Sequence, residues 1–194
     1  MADKNITRCP VVLQMEANEC GAAALGMVLG YYKKFITLEE LRDACGVSRD
    51  GCSALSVVNA AAHYGMEANV YKCNTESLKD EIQYPAVLFW NDNHFVVLEG
   101  FDEKKAYIND PASGRFQLNI KDFERCYSNI VIELSKTENF QPEGRAGNIF
   151  ASLPERLADS KLAAILLLLG AIGLILPELV APFYIKIFID ELLV

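Results

Sequence analysis

The stretch LQMEANECGAAALGMVLGYY, Leu13 to Tyr32, decides how this chain is read. From Gly21 to Tyr32 it is apolar on nearly every face, which predicts a helix buried at the centre of a domain. Cys20 stands immediately before that run, and a lone glutamine, Gln14, lies in the segment leading to it. A thiol in this place can be core filler, a metal ligand, a redox group or a nucleophile. At a helix entrance the sulfur lies near unpaired N–H groups and the positive end of the helix dipole, and both favour thiolate over thiol. The small residues Gly21 to Ala24 would let a substrate backbone approach the sulfur closely. Glu19 opposes the effect, because an adjacent anion disfavours a second negative charge. A purely structural thiol also suits the position.

The other five cysteines offer less. Cys45 and Cys52 lack the close ligand pairing of a zinc site, and nothing else pairs, so no metal is expected. Cys45, Cys73 and Cys126 sit among apolar neighbours as small core residues. Cys52 follows Asp50-Gly51 in a turn, Cys9 lies near a loose N-terminus, and neither has an obvious base. Six cysteines among 194 residues are too dilute for a disulfide scaffold. The polar start MADKNITRCP has no apolar core of a signal peptide, so a cytosolic location with reduced thiols is expected.

A nucleophile needs a base, and the chain has two histidines. His63 ends a predicted helix, where it is adequately explained as a partner of the dipole. His94 opens a valine-rich strand after the polar turn Asn91-Asp-Asn93. Asp110 ends the next strand, before Pro111. If the two strands pair through the DEKK turn, His94 and Asp110 fall at the same end of a hairpin, within reach of a carboxylate–imidazole bond. Taken singly, Asp110 is also a turn-capping residue and His94 a surface histidine. Acyl transfer further needs a donor for an oxyanion, and the Gln14 amide can supply one.

Around these residues the chain falls into three zones. Residues 1–136 form one mixed domain: helices over Gly21–Tyr32, from the capping box Thr37-Leu-Glu-Glu40 to Cys45, and from the Ser53 cap to Tyr64. Strands follow at Glu67–Tyr71, Ala86–Trp90, His94–Phe101, Lys105–Asn109 and Ile130–Leu134, with a short helix over Thr75–Ile82. Helices first and strands after is an α+β order. Residues 137–155 are rich in Gly, Pro and polar side chains and read as a linker. In 156–194, Leu162 to Pro177 carries no charge, and the run to Ile185 adds only Glu178. As a helix this is about 36 Å long, enough to span a bilayer, with Pro177 and Pro182 as expected kinks. Arg156 and Lys161 before the span favour a cytosolic N-terminus. The formal charge of −8, without any Lys/Arg cluster, excludes a nucleic-acid partner.

Gln14, the segment Glu19-Cys20-Gly21-Ala22-Ala23-Ala24, the phrase His94-Phe-Val-Val-Leu98 and Asp110-Pro111 with Gly114 resemble the bacteriocin-processing, double-glycine-leader peptidase family. So does Arg49-Asp-Gly51 with Ser53-Ala-Leu55 opening a helix. The resemblance runs over about residues 8 to 135 and implies a papain-like fold in the cytosolic N-terminal part of peptidase-containing ABC exporters. It makes Cys20 the nucleophile, His94 the general base and acid, Asp110 the orienting carboxylate and Gln14 the oxyanion donor, with no cofactor. Pro177 through Phe188-Ile-Asp190 is similar to the first membrane helix of such exporters. The implied partners are a precursor peptide with a double-glycine leader and the membrane-spanning and ATP-binding remainder of an exporter. Cleavage after glycines fits a narrow channel over Cys20 that excludes a β-carbon.

Some relatives have lost the cysteine and only recruit substrate; its presence here implies an active enzyme. No ATP-binding motif and only one membrane helix occur in these residues, so export by this polypeptide alone is not expected. Two rival readings are a non-catalytic docking module and a papain-like hydrolase or transferase of non-peptide amides.

Overall fold

The computed structural model describes residues 6–145 and 161–192. Its elements are α1 (Cys20–Tyr31), α2 (Leu38–Ala44), α3 (Ala54–His63), β1 (Met66–Lys72), α4 (Thr75–Asp80), β2 (Ala86–Trp90), β3 (His94–Phe101), β4 (Lys105–Asp110), β5 (Gly114–Asn119), α5 (Ile120–Cys126), β6 (Tyr127–Lys136) and α6 (Lys161–Leu192). The chain divides into two units, Met1–Ala146 and Gly147–Val194.

In the first unit six antiparallel strands form one sheet in the order β1-β6-β2-β3-β4-β5. Successive strand side chains point to opposite faces. On one face Val87, Phe95, Val97, Ile132 and Leu134 pack with the buried side chains of α1, α2 and α3. On the other, Leu88, Val96, Leu98 and Val131 pack with Leu78 of α4 and Phe123 of α5. The α+β order therefore becomes a sheet covered on both sides, and the central strands β2 and β3 are largely apolar because neither face meets water.

Local caps act as the residues dictate. The Ser53 hydroxyl accepts the Ser56 N–H at 3.1 Å, and Thr37 accepts the Glu40 N–H at 3.3 Å. The reciprocal half of the Thr37 box is not made, because Glu40 Oε1 accepts the Tyr64 hydroxyl at 3.2 Å instead. That bond ties α2 to the end of α3.

Strand β5 and helix α5 are additions to the sequence reading. β5 is an edge strand, half-buried on alternate residues. α5 buries a single side chain, Phe123, too little for a periodic signal. Cys9 is also a correction. It does not lie in a loose terminus but is buried, its N–H donating to Glu99 Oε1 at 2.9 Å. Burial, with the Glu99 charge beside it, pushes its thiol up to about 12.

Residues 137–145 pack on the first unit: Phe35 N–H donates to Glu143 O at 2.8 Å, and Glu143 N–H to Lys33 O at 3.3 Å. The rest of the expected linker and residues 156–160 lie outside the described residues. In the second unit α6 is continuous through Pro177 and Pro182. Its segment Ile165–Asp190 is long and apolar enough to cross a membrane.

Candidate functional site

Cys20 is the first residue of α1, and α1 rests on β3 and β2. Its side chain is 6% exposed and faces a cleft of about 430 Å³, bordered by the Asp50-Gly51-Cys52 turn and the Asp92-Asn93 turn. The second turn brings in His94. Asn91 and Asp92 take left-handed φ of 49° and 58°, which reverses the chain sharply between β2 and β3. The turn is held by Asn91 N–H donating to Cys126 O at 2.7 Å and Asp92 N–H to Ser128 Oγ at 2.9 Å.

His94 Nε2 lies 2.7 Å from Asp110 Oδ1, and the Cys20 thiol is near enough to the ring to act on its charge. With Nε2 occupied, Nδ1 is the nitrogen left for the sulfur. Burial pushes the His94 imidazole down, but Cys20 and Asp110 outweigh it and hold it above its ordinary value. Burial likewise opposes the Asp110 charge. The bond from His94, the Ala112 N–H at 2.8 Å and the Ser113 hydroxyl at 2.8 Å more than offset it and hold this carboxyl below its usual range. Asp110 is thus a turn-capping residue and a histidine partner at once.

The register explains why the two meet. β3 and β4 pair Phe101↔Ala106 and Gly100↔Tyr107, then Leu98↔Ile108 and Val97↔Asn109, so Glu99 is an extra residue in β3. Continued by one residue, this register sets Val96 opposite Asp110, and His94, two residues from Val96, shares its face. Without the bulge Val97 would oppose Asp110 and His94 would point to the other side. Glu99 is buried, and Arg115 Nε bonds both its oxygens at 3.1 Å, while Asn109 Nδ2 donates to Oε1 at 3.2 Å. Arg115 also donates to Cys9 O. A charged residue inside the apolar strand HFVVLEGF was the available signal for this clamp; its partners, from residues 9, 109 and 115, were not.

Glu19 is not an exposed anion beside the thiol. It is buried and accepts the N–H groups of Met15 and Glu16 at 2.7 and 3.0 Å, while Arg42 Nε of α2 forms an ion pair with its other oxygen at 3.0 Å. Its charge is spent on shaping the loop that carries Gln14. Gln14 N–H donates to Pro111 O at 2.9 Å, which ties this loop to the residue after Asp110. The Gln14 side-chain Oε1 is buried without a hydrogen-bond partner.

The small residues of α1 also need a different account. Ala22, Ala23 and Ala24 are fully buried against the protein itself. A β-carbon on Gly21 would overlap Cys52 Sγ and crowd Val57 and Phe95. Gly21 therefore makes room for Cys52, whose sulfur lies against the first turn of α1; the N–H groups of Ala22 and Gly21 there favour its charged form. Cys52 is the cleft residue that sequence reasoning passed over. His63 ends α3, exposed and edge-on to Tyr64. Among the described residues no three His, Cys, Asp or Glu side chains gather as a metal site.

The structure brings Cys20, His94 and Asp110 into one connected set, from chain segments far apart in sequence. Residues 8–139 match the peptidase C39 family. The chain is 31% identical, over 74% of its length, to the lacticin-481/lactococcin-DR transport/processing ATP-binding protein of Lactococcus lactis, of which it covers 21%. It is likewise 31% identical, over 70% of its length, to the probable microcin-H47 secretion/processing ATP-binding protein of Escherichia coli, of which it covers 19%. The chain thus spans about a fifth of the length of the curated relatives it matches. A solved double glycine motif protease from an AMS/PCAT transporter, in complex with the leader peptide, is 50% identical to it. Their TM-score is 0.68, over 70% of this chain and 96% of that one. With a thiol at a helix entrance beside a carboxylate-held imidazole, and a family match over residues 8–139, the chain belongs to the peptidase C39 family of cysteine peptidases.

Proposed function

We propose that this chain is a cysteine endopeptidase that removes double-glycine leaders from bacteriocin or lanthipeptide precursors. Its substrate is a precursor peptide, and its work is coupled to export by the remaining domains of an ABC transporter. The observation that carries the proposal is the His94 ring, held by Asp110 and set beside Cys20 at the entrance of α1. The relatives' transport and processing roles and the leader-bound protease support the substrate class.

In this reading His94 and Cys20 form an imidazolium–thiolate pair. The thiolate attacks the carbonyl carbon of the second glycine, and the negative charge on oxygen is met by the Gln14 amide and the Cys20 N–H. His94 gives its proton to the leaving amine and frees the cargo. A water, deprotonated by His94, then opens the thioester and releases the leader as a carboxylate. Asp110 keeps the ring oriented and stabilises its charge. The domain comprises residues 1–136, joined by 137–155 to 156–194. There α6 anchors it in the cell membrane with the peptidase on the cytosolic side.

The full chain in detergent should cleave a double-glycine precursor, and Cys20→Ala should lower the rate by about 10³-fold or more. Cleavage that survives this substitution removes Cys20 from the role. Leader binding without turnover by the unaltered chain reduces it to a docking module, and turnover of simple amides in preference to the precursor makes it a hydrolase of another kind.

A further inference from the structure

The second thiol in the cleft has chemistry that peptide cleavage does not use. Cys45 follows α2 and Cys52 precedes the cap of α3, so the two bracket the turn 46–51. Ser48 and Gly51 close that turn by reciprocal backbone bonds of 3.0 and 3.1 Å. Asn18 Nδ2 donates to Ser48 O at 2.7 Å and pins the turn to the segment just before Cys20. Cys45 and Cys52 pack in the same apolar cluster around α1, near enough for each thiol to act on the other's charge. Cys45 is 1% exposed, whereas Cys52 is half-buried and lines the cleft beside Cys20. One thiol is reachable and the other is shielded, as an attacking and a resolving thiol would be. Cys20 is committed elsewhere, to His94.

The electrostatics agree with this division. The Cys45 thiol holds the Cys52 thiol below its ordinary value; burial opposes this, and the N–H groups of Ala22 and Gly21 reinforce it. The Cys52 thiol, and burial after it, push Cys45 up. Cys52 is the better nucleophile at neutral pH.

We propose that Cys52 and Cys45 are a reversible dithiol–disulfide pair, oxidised by disulfides of the glutathione class, set in the wall of the cleft that holds Cys20. The Cys52 thiolate attacks one sulfur of oxidised glutathione, forming a mixed disulfide and expelling a glutathione thiolate. That thiolate takes the Cys45 proton. The Cys45 sulfur then attacks the Cys52 sulfur and expels the second glutathione, which takes up a proton from solvent. The protein dithiol is oxidised by two electrons, and one glutathione disulfide is reduced to two thiols. The new bond withdraws the Cys52 sulfur from the Gly21 and Ala22 N–H groups and tightens the turn at the cleft wall, so cleavage slows. This consequence rests on the peptidase reading; the bond itself does not.

The test treats the full chain in detergent with oxidised glutathione, blocks remaining thiols, and maps disulfides by mass spectrometry without reduction. A peptide linking Cys45 to Cys52 is expected in the unaltered chain and in Cys20→Ala, and it disappears on adding dithiothreitol. Cys45→Ala should instead keep a stable glutathione adduct on Cys52. Precursor cleavage by the unaltered chain should fall severalfold on oxidation and recover on reduction. A Cys20–Cys52 link, a lasting adduct on Cys52 despite Cys45, or unmodified Cys52 in both chains overturns the proposal. If the reduced chain fails to cleave at all, the peptidase reading falls while the linked peptide still decides this one.

Discussion

Two helices of this chain are apolar around their whole circumference, and they live in opposite surroundings. α1 buries every residue from Cys20 to Gly30. α6 carries large apolar side chains such as Leu167 and Leu174, each 76% exposed in the chain by itself. A helix without a polar face must be covered on all sides. α1 is covered by the sheet, α2 and α3, which requires small residues where neighbours come close: Leu41 stands against Gly26 and Pro10 against Gly30. α6 has length and bulk instead, and its segment Ile165–Asp190 runs about 39 Å, sufficient for a ~30 Å hydrocarbon layer. Helical pattern alone does not separate the two; length and the spacing of small residues do.

The comparison is broken most directly by truncating one leucine in each helix. Leu29→Ala in α1 should cost the peptidase unit about 2–5 kcal/mol in denaturant unfolding, whereas Leu167→Ala in α6 should cost it nothing measurable. Equal losses would mean that α6 is also a protein-covered helix. Next in size, Leu174→Arg should weaken membrane insertion by about 2.5–3.5 kcal/mol, read as the fraction of chain recovered with membranes. An unchanged fraction would argue against insertion of α6.

The small residues of α1 give a third, smaller effect. Gly21→Ala should destabilise by about 1–3 kcal/mol, because the new methyl meets Cys52 Sγ. Cys52→Ala in the same chain should recover part of that loss; full additivity of the two changes would show that this contact is not the cause. The least effect on folding is expected where α1 meets the cleft. In the proposed reaction His94 must be protonated, so activity falls as pH rises through its folded value, which lies above the ordinary 6.5. Asp110→Asn removes a charge that raises it, so the alkaline limb of kcat/KM should move down toward about pH 6.5. An unmoved limb would separate Asp110 from the titration of His94.

Much of the site was legible because its parts announce themselves locally. A cysteine before an apolar run marks the entrance of α1, and a valine-rich strand running into a DEKK turn marks a hairpin with His94 and Asp110 at one end. Both observations use neighbours within a few residues. The face on which His94 meets Asp110 was not legible, since it depends on the Glu99 bulge, and that bulge is held by Arg115, Asn109 and the backbone of Cys9. Nor was the state of Glu19, whose charge is met by Arg42 from α2. Cys52 looked like a turn residue because its turn is local, while its sulfur's partners belong to α1 and to Cys45.

By itself the sequence determined the run of elements apart from β5 and α5, the contrast between an α+β domain and a long apolar segment, and the order in which amide, thiol, imidazole and carboxylate follow one another. Periodicity, capping residues and turn chemistry act over a turn of helix or a pair of strands, and they can be read along the chain. Only the tertiary structure decided which face each strand presents, which charges are offset, and which sulfur fills the space left by Gly21. Those outcomes depend on side chains brought together from distant positions, and a one-residue change of register reverses them.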